Sequence, residues 1–412
     1  MSSKQRLSKN ISVDGYVSAA EASQLLSVKT QTLYSYVSRG LIRSVSQGAR
    51  KARLYSREDI DRARARADVR SGLSPAAGSA LRWGQPVIDT AVSEITPEGP
   101  RYRGTLATDL ARRGAAFESV AELLWIGESF SAVTTWEVEP LPRAFVAQLD
   151  QLVAPAGGMP MLRVFALATT LLGANERVSD DVQRGTTIAA ARQLMLMLTG
   201  CLGYLCDERA FCAARSGESV THLMLRSLGT PFSAARLTAL NAALVLSADH
   251  ELSSATFAAR VAASTGAELR ACVLAAIGAH SGALLGGSCD AVEDQLASGI
   301  PATPAGNRVP GFNIAVYPKG DPRAAMLFDL AGAIAPIHPA TRQFIADAES
   351  RFSLRPSIEL GLVTLAQTMA LPHRAAGALW AISRAAGWIA HVLEQRRAGY
   401  VLRPRARYAG AV

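Results

Sequence analysis

The spacing of apolar and polar positions predicts a mainly α-helical chain. From about residue 83 onward, apolar residues recur at helical spacing in segments rich in Ala and Leu. Strand-like alternation is scarce, and the clearest candidate for a short hairpin lies at residues 90–102. The pattern therefore predicts an all-α body with few strands.

The first 66 residues have a different pattern, with two short helices, a hairpin and a third helix. Ser18 and Glu21 have the spacing of a capping box, which marks the start of the first helix. A Gly-centred basic hairpin follows the second helix at residues 44–55, and another capping box at residues 56–59 starts the third helix. The pattern predicts a small separate domain at residues 1–66.

The charge of the chain is concentrated in this domain. The whole sequence has a net charge of +9, and residues 1–66 hold 13 Lys and Arg against 5 acidic residues. The rest of the chain is nearly neutral. A small basic domain beside a neutral body is the charge distribution expected of a nucleic-acid-binding head. The alternative is a head that contacts other proteins.

The order helix, turn, helix, hairpin and helix resembles the winged helix-turn-helix head of the MerR and excisionase type. The resemblance implies that the second helix enters the major groove of DNA and that the hairpin touches phosphate. Near the end of the second helix, either Tyr36 or Arg39 is predicted to face the groove of the DNA. The predicted DNA-contacting residues are Lys29, Thr30, Gln31, Thr32, Ser35 and Arg39 on the second helix and Arg50, Lys51 and Arg53 on the hairpin. Residues 67–82 are predicted to be a linker to the body at residues 83–412.

Composition excludes several classes of protein. An apolar fraction of 49% with 19% charged residues excludes a mostly disordered chain, a collagen and a coiled-coil rod. The best apolar run, residues 237–248, is shorter than the ~18 residues of a membrane span, and residues 1–10 show no secretory signal. The 5 cysteines have no Cys-x-x-Cys spacing. We therefore expect a cytoplasmic protein with reduced thiols, no membrane segment and no metal site.

Several segments of the body resemble citrate synthases and methylcitrate synthases. They include residues 90–127, Ala-Asp-His-Glu at residues 248–251, Tyr-Pro-Lys-Gly-Asp-Pro-Arg at residues 317–323 and Ile-Ser-Arg at residues 382–384. The matches follow the family order across the body. The resemblance implies an all-α fold with a large domain and a small domain, the latter inserted at about residues 285–370, and a homodimer whose cleft closes over its ligand.

The resemblance also implies a set of ligand-binding residues. His250, Arg323 and Arg384 match family positions that hold the carboxylates of a 2-oxo acid such as oxaloacetate. Arginine suits this role because its guanidinium binds a carboxylate at two points. Arg403, in Leu-Arg-Pro, matches an arginine that reaches across from the partner subunit. We therefore expect an oxaloacetate- or citrate-like ligand and a dimer.

The family's catalytic groups are replaced. Leu285 and Ile314 occupy the two histidine positions, and neither side chain can donate a hydrogen bond. Glu359 stands where the family has an Asp base, and its carboxylate reaches one carbon further. Losing one donor to a developing oxyanion typically costs about 10² to 10³ in rate. We expect turnover at least about 10⁴ below that of an intact relative.

Other residues near these positions are minor candidates. His280 and Asn313 lie close to the replaced histidines in sequence, but we expect His280 to be a satisfied helix residue, at least one turn from the site. Cys289 replaces a family Asn and is expected to be a packed side chain rather than a redox thiol. Residues 297–307 contain no Lys or Arg, which argues against CoA binding. No cofactor is predicted, and acyl-CoA is kept as a ligand or co-substrate.

Two functions from different classes follow from these residues. The first is a dimeric transcriptional regulator whose catalytically degenerate body senses a carboxylate. The alternative is an acyl-CoA:2-oxo acid condensing enzyme with a displaced catalytic set and Glu359 as base. A third hypothesis is a partner subunit that modulates an intact citrate synthase.

Overall fold

A computed structural model of the chain divides into two compact units, one within the first 89 residues and one at Thr90–Arg403. The predicted site residues Arg39, Arg50, Lys51, Asn313 and Ile314 lie outside the described residues. The structure describes residues 16–26, 28–38, 41–46, 53–57, 59–60, 63, 88–127, 135–137, 139–174, 185–299, 309–312 and 316–404.

The N-terminal unit combines two helices with a small antiparallel sheet. Its elements are β1 (Tyr16–Ser18), α1 (Ala19–Leu25), α2 (Thr30–Ser38), β2 (Ser44–Ser46) and β3 (Arg53–Ser56). The strand order is β1-β3-β2, with Val17 opposite Tyr55 and Val45 opposite Leu54. The Ser18 hydroxyl accepts a hydrogen bond from the Glu21 N–H (3.3 Å), so Ser18 caps α1 as predicted.

A compact apolar core holds the N-terminal unit together. Ala22 of α1 and Leu33 of α2 are fully buried against Ile42 and Ile60. Asp59, which follows β3, is hydrogen bonded to the residue before β2: its Oδ2 accepts a hydrogen bond from the backbone N–H of Arg43 (2.9 Å). The helices are thus fixed against a three-stranded sheet, which is the arrangement expected for a helix, turn, helix and hairpin sequence.

The body is almost entirely helical, which confirms the predicted fold class. The predicted hairpin at residues 90–102 is present and extends into a third antiparallel strand. The strands are β4 (Ser93–Thr96), β5 (Gly99–Tyr102) and β6 (Thr105–Leu106), and the helices are α3 (Ala107–Arg112), α4 (Phe117–Ile126), α5 (Arg143–Val153), α6 (Met161–Ala174), α7 (Thr187–Gly200), α8 (Val220–Ser227), α9 (Ala234–Ser247), α10 (Ser254–Ser264), α11 (Leu269–His280), α12 (Gly287–Ser298), α13 (Pro322–Ile334), α14 (Pro339–Phe352), α15 (Ile358–Thr368) and α16 (Ala375–Ala398).

Helix α16 lies at the centre of the body. Its residues from Ala375 to Val392 are buried on every face, which is the pattern of a helix surrounded by other helices. It contacts α4, α9, α10, α11, α12 and α15. Serine N-caps begin α8, α9 and α10, because each hydroxyl accepts the N–H of the residue three positions later.

The longest apolar helical stretch differs from the one expected. Thr187–Leu205 is long and apolar enough to cross a membrane by length and composition, whereas the sequence pointed to residues 237–248. Packing explains why this stretch is apolar: most of it is buried inside the protein, and Leu194 and Met195 belong to the main core. This stretch is a core helix of the body.

Candidate functional site

The body brings the predicted ligand-binding residues to the ends and centre of different helices. His250 follows α9, Arg323 is the second residue of α13, and Arg384 lies midway along α16. Glu359 is the second residue of α15, and Leu285 lies between α11 and α12. These positions are far apart in sequence, so the site exists only in the folded chain.

Tyr317 joins His250 to Arg323. Its hydroxyl lies 3.3 Å from Nε2 of His250, and the two rings meet edge to face with centroids 5.8 Å apart. The guanidinium carbon of Arg323 lies 5.3 Å from the centre of the Tyr317 ring, within range of a cation–π contact. Sequence analysis did not single out Tyr317 as a site residue, although it begins the segment that ends at Arg323.

Asp321 fixes the guanidinium of Arg323. Nε of Arg323 donates to Oδ1 of Asp321 (2.9 Å) and Nη2 donates to Oδ2 (2.7 Å), and both side chains are buried. Burial opposes the charge on Arg323, but the Asp321 carboxylate raises the pKa of Arg323 above its ordinary value. Asp321 also accepts the backbone N–H of Ile358 (3.2 Å), so one carboxylate orders the starts of α13 and α15.

Arg384 is only partly hydrogen bonded. Its Nη2 donates to the hydroxyls of Ser253 (2.9 Å) and Thr256 (3.3 Å) at the start of α10. Within the described part of the chain, its buried Nη1 has no hydrogen-bond partner, and neither has Oδ1 of Asp249, which lies 3.8 Å away. Burial lowers the pKa of Arg384, while the Asp249 carboxylate raises it.

Asp249, the carboxylate next to Arg384, is fully buried. Its Oδ2 accepts hydrogen bonds from the hydroxyl of Ser93, from Nε2 of His391 (3.2 Å) and from the backbone N–H of Glu251 (3.1 Å). Burial raises the pKa of Asp249, but His391, Arg384 and Ser93 together hold it well below the usual range. Asp249 is therefore a fixed negative charge that orients its neighbours.

His250 lies within electrostatic range of both Arg323 and Arg384. Burial lowers the pKa of His250 well below its ordinary value, and the charges of Arg323 and Arg384 lower it further. His250 is consequently neutral, with two guanidinium groups beside it. Buried cations next to neutral hydrogen-bonding side chains suit a small molecule that carries more than one carboxylate.

The carboxylate of Glu359, the candidate base, is hydrogen bonded to Ser357. Its Oε2 accepts a short hydrogen bond from the Ser357 hydroxyl. Burial raises the pKa of Glu359 above its ordinary value, and the hydrogen bond from Ser357 opposes that rise.

The side chain of Cys289 is fully buried, and burial together with Glu359 raises the pKa of its thiol well above the ordinary value. A thiol in this state is a poor nucleophile.

Leu285 packs, partly buried, against the main core. The side chain contributes no donor to the site, as its chemistry requires. Leu284, immediately before it, is 71% exposed. The polypeptide here turns tightly, because the N–H of Gly286 donates to the carbonyl of His280 (2.7 Å).

His280 differs from the expectation of a satisfied helix residue. It is 1% exposed, and neither ring nitrogen has a hydrogen-bond partner among the described residues. Its ring lies edge to face against Trp380 and Trp388, with centroids 5.1 Å and 5.3 Å away. Burial and the charge of Arg384 lower its pKa to about 3, so the imidazole is neutral. An unsatisfied buried polar group costs about 1–3 kcal/mol.

Arg403 is exposed, whereas Arg323 and Arg384 are buried. The backbone just before it is held against α10 and α16, because the N–H of Leu402 donates to the hydroxyl of Ser264 (3.0 Å) and the carbonyl of Tyr400 accepts from Gln395 (3.0 Å). Among the described residues Arg403 forms no ion pair. Its guanidinium is therefore exposed in the part of the chain that the structure describes.

The head presents a polar face along α2. Lys29, Thr30 and Gln31 are exposed, as is Arg53 on β3, while Thr32 and Ser35 are half-buried. Tyr34 is 53% exposed, and sequence analysis missed it. Its position three residues after Gln31 places both side chains on the same face of α2, a signal that helical spacing contains.

Comparison with known proteins assigns the body. The family model of the citrate synthase C-terminal domain matches residues 80–405. The chain belongs to the citrate synthase family. A helix-turn-helix domain model matches residues 16–67, in agreement with the predicted head.

Relatives of this citrate synthase family member include enzymes from bacteria and archaea. A 2-methylcitrate synthase of Shewanella oneidensis is 27% identical over 81% of this chain and 95% of its own length. A citrate synthase of Haloferax volcanii is 28% identical over 75% of this chain and 89% of its own length.

Solved structures show the same fold. Citrate synthase of Thermoplasma acidophilum, in a ternary complex with carboxymethyl coenzyme A and oxaloacetate, has a TM-score of 0.68 at 21% identity and covers 81% of this chain and 96% of its own. Citrate synthase of Thermotoga maritima has a TM-score of 0.61 at 20% identity and covers 80% of this chain and 94% of its own.

Proposed function

We propose that this citrate synthase family member is a transcriptional regulator that senses a small di- or tricarboxylate. The observation that carries the proposal is the pair of buried guanidinium groups, Arg323 and Arg384, with the half-buried His250, in a chain that has a non-donating Leu285 at a family histidine position. A sensor needs affinity for its ligand without consuming it. Oxaloacetate and citrate have the charge and size that two guanidinium groups and a neutral imidazole recognise.

The chemistry of condensation supports a loss of turnover. Proton removal from the methyl group of an acyl thioester requires a free carboxylate, and the resulting enolate requires a hydrogen-bond donor. Glu359 is engaged by Ser357, and Leu285 replaces one donor. Ile314, at the second histidine position, lies outside the described residues. These substitutions favour binding over catalysis.

DNA binding is assigned to the exposed face of α2 and to the basic hairpin. Lys29, Gln31 and Arg53 are exposed side chains of the kinds that contact phosphates and base edges. We propose a homodimer, with Arg403 of each subunit completing the partner's ligand site. Closure of the body around a carboxylate then changes the fit of two heads to two half-sites. A regulator of this kind acts in the cytoplasm.

Two assays on the purified full-length chain test the regulator. Calorimetric titration with oxaloacetate and citrate is expected to show saturable binding, and DNA selected from random sequence is expected to bind well above nonspecific DNA at about 0.15 M salt. Affinity for DNA that is entirely nonspecific and salt-sensitive contradicts the assignment of the head. An absence of carboxylate binding contradicts the assignment of the body.

The second candidate is an acyl-CoA:2-oxo acid condensing enzyme. It is favoured by the relatives, which include 2-methylcitrate synthase and citrate synthase, and by the raised pKa of Glu359, which suits a general base. Thiol release from acetyl-CoA or propionyl-CoA with oxaloacetate tests it. Release at an ordinary enzyme rate establishes the enzyme, and release no faster than the blank excludes it.

A further inference from the structure

Five buried polar atoms without hydrogen-bond partners lie around one face of α16. They are Oδ1 of Asp249, Nη1 of Arg384, Nε1 of Trp388 and the two ring nitrogens of His280, as found within the described ranges. Trp380, Arg384 and Trp388 are each one helical turn apart, so they share that face. Such groups are rare in native proteins, and each calls for a partner such as an ordered water, an ion or a bound ligand.

Within this cluster, His280 contacts the residue that follows the replaced histidine position. Its ring lies against the Gly286 backbone, where an added Cβ would be 2.9 Å from Nε2 and 2.7 Å from Cδ2. Gly286 directly follows Leu285, and its N–H donates to the His280 carbonyl. The imidazole is therefore adjacent to the segment from which a family histidine would otherwise act.

We propose that His280 is a ligand-binding residue, whose neutral imidazole donates an N–H to an oxygen of the bound carboxylate beside Nη1 of Arg384. This inference rests on the proposed sensing function and names a donor for that same site. A bound carboxylate would give both groups a hydrogen-bond partner, which the described residues of the protein do not provide. The ring's contacts with Trp380 and Trp388 hold it in place for this role.

The test uses substitutions that separate binding from stability. His280→Leu removes both ring nitrogens at similar volume, so it is expected to weaken oxaloacetate or citrate binding about 10- to 100-fold. The same variant is expected to unfold at a temperature at least as high as the wild type, because an unsatisfied polar group is lost. His280→Gln and His280→Asn each place an amide N–H near one ring nitrogen, and at least one of them should recover part of the affinity.

Cys272→Ala is the matched control, because Cys272 is also buried on α11. It should lower stability and leave carboxylate affinity unchanged. Equal affinities of His280→Leu and wild type overturn the inference and leave the sensing function standing. An equal loss of affinity in all three His280 variants, together with lower stability, assigns His280 a structural role and also overturns it. A wild-type protein that binds neither carboxylate overturns the sensing function itself.

Discussion

Asp321 and Arg323 form a buried two-point ion pair, with contacts of 2.9 Å and 2.7 Å, at the start of α13. Removing one partner of a buried pair leaves an uncompensated charge and costs about 3–5 kcal/mol. We therefore expect Asp321→Asn to lower the free energy of unfolding by that amount and to weaken carboxylate binding. Asp329→Asn, an exposed change on the same helix, should alter neither quantity in urea denaturation and calorimetry. Equal stability of the two variants would contradict this account.

Tyr317→Phe tests the hydroxyl that meets His250. The substitution removes one hydrogen bond at 3.3 Å and keeps the ring beneath Arg323. We expect citrate or oxaloacetate to bind about 2- to 10-fold more weakly, with little change in unfolding temperature. Tyr400→Phe, at an exposed position near the end of the chain, is the control and should bind like the wild type. Unchanged affinity in Tyr317→Phe would remove Tyr317 from the site.

The head gives a prediction about salt dependence. Arg53→Ala should reduce the slope of log affinity for DNA against log salt concentration by about 1, because one phosphate contact is lost. Gln31→Ala should instead reduce discrimination between sequences, by about 1–3 kcal/mol at one base pair. Arg112→Ala, an exposed substitution in the body, should change neither measurement. Identical slopes for Arg53→Ala and wild type would argue against hairpin contact with phosphate.

Glu118 is expected to make the free energy of unfolding depend on pH. Burial raises its pKa to about 7, even though its Oε1 accepts the Val220 N–H at 2.6 Å. Because the folded-state pKa lies above the unfolded value, the stabilising contribution of the protonated form is complete below about pH 4 and is lost as pH rises through 7.

The expected size of this effect is roughly 3 kcal/mol between pH 4 and pH 8. Glu118→Gln should abolish most of this pH dependence. The free energy of unfolding of the variant should therefore rise relative to that of the wild type at pH 8 and not at pH 5. Urea denaturation at the two pH values measures the difference. A constant gap between variant and wild type would show that Glu118 does not titrate in this range.

The sequence contains enough to predict the fold class, and the ligand-binding roles of His250, Arg323 and Arg384 stay predictions. Local signals such as the Ser18 cap and the 90–102 hairpin were confirmed, since they depend on neighbouring residues alone. The roles proposed for Tyr317 and His280 rest on contacts between distant elements. Helical spacing cannot show that a histidine at the end of α11 meets two tryptophans of α16. The apolar stretch at Thr187–Leu205 was missed for a different reason, since Arg192 and Gln193 interrupt its run of apolar residues.

The central claim is that the body binds a carboxylate without turning it over. The most direct measurement combines calorimetric titration of the full-length protein with oxaloacetate and citrate and a thiol-release assay with acetyl-CoA on the same sample. The account predicts saturable carboxylate binding, weakened by Arg384→Met, with thiol release no faster than the blank. Thiol release at an ordinary enzyme rate would contradict it and would show that catalytic groups other than residues 285 and 314 act in the cleft.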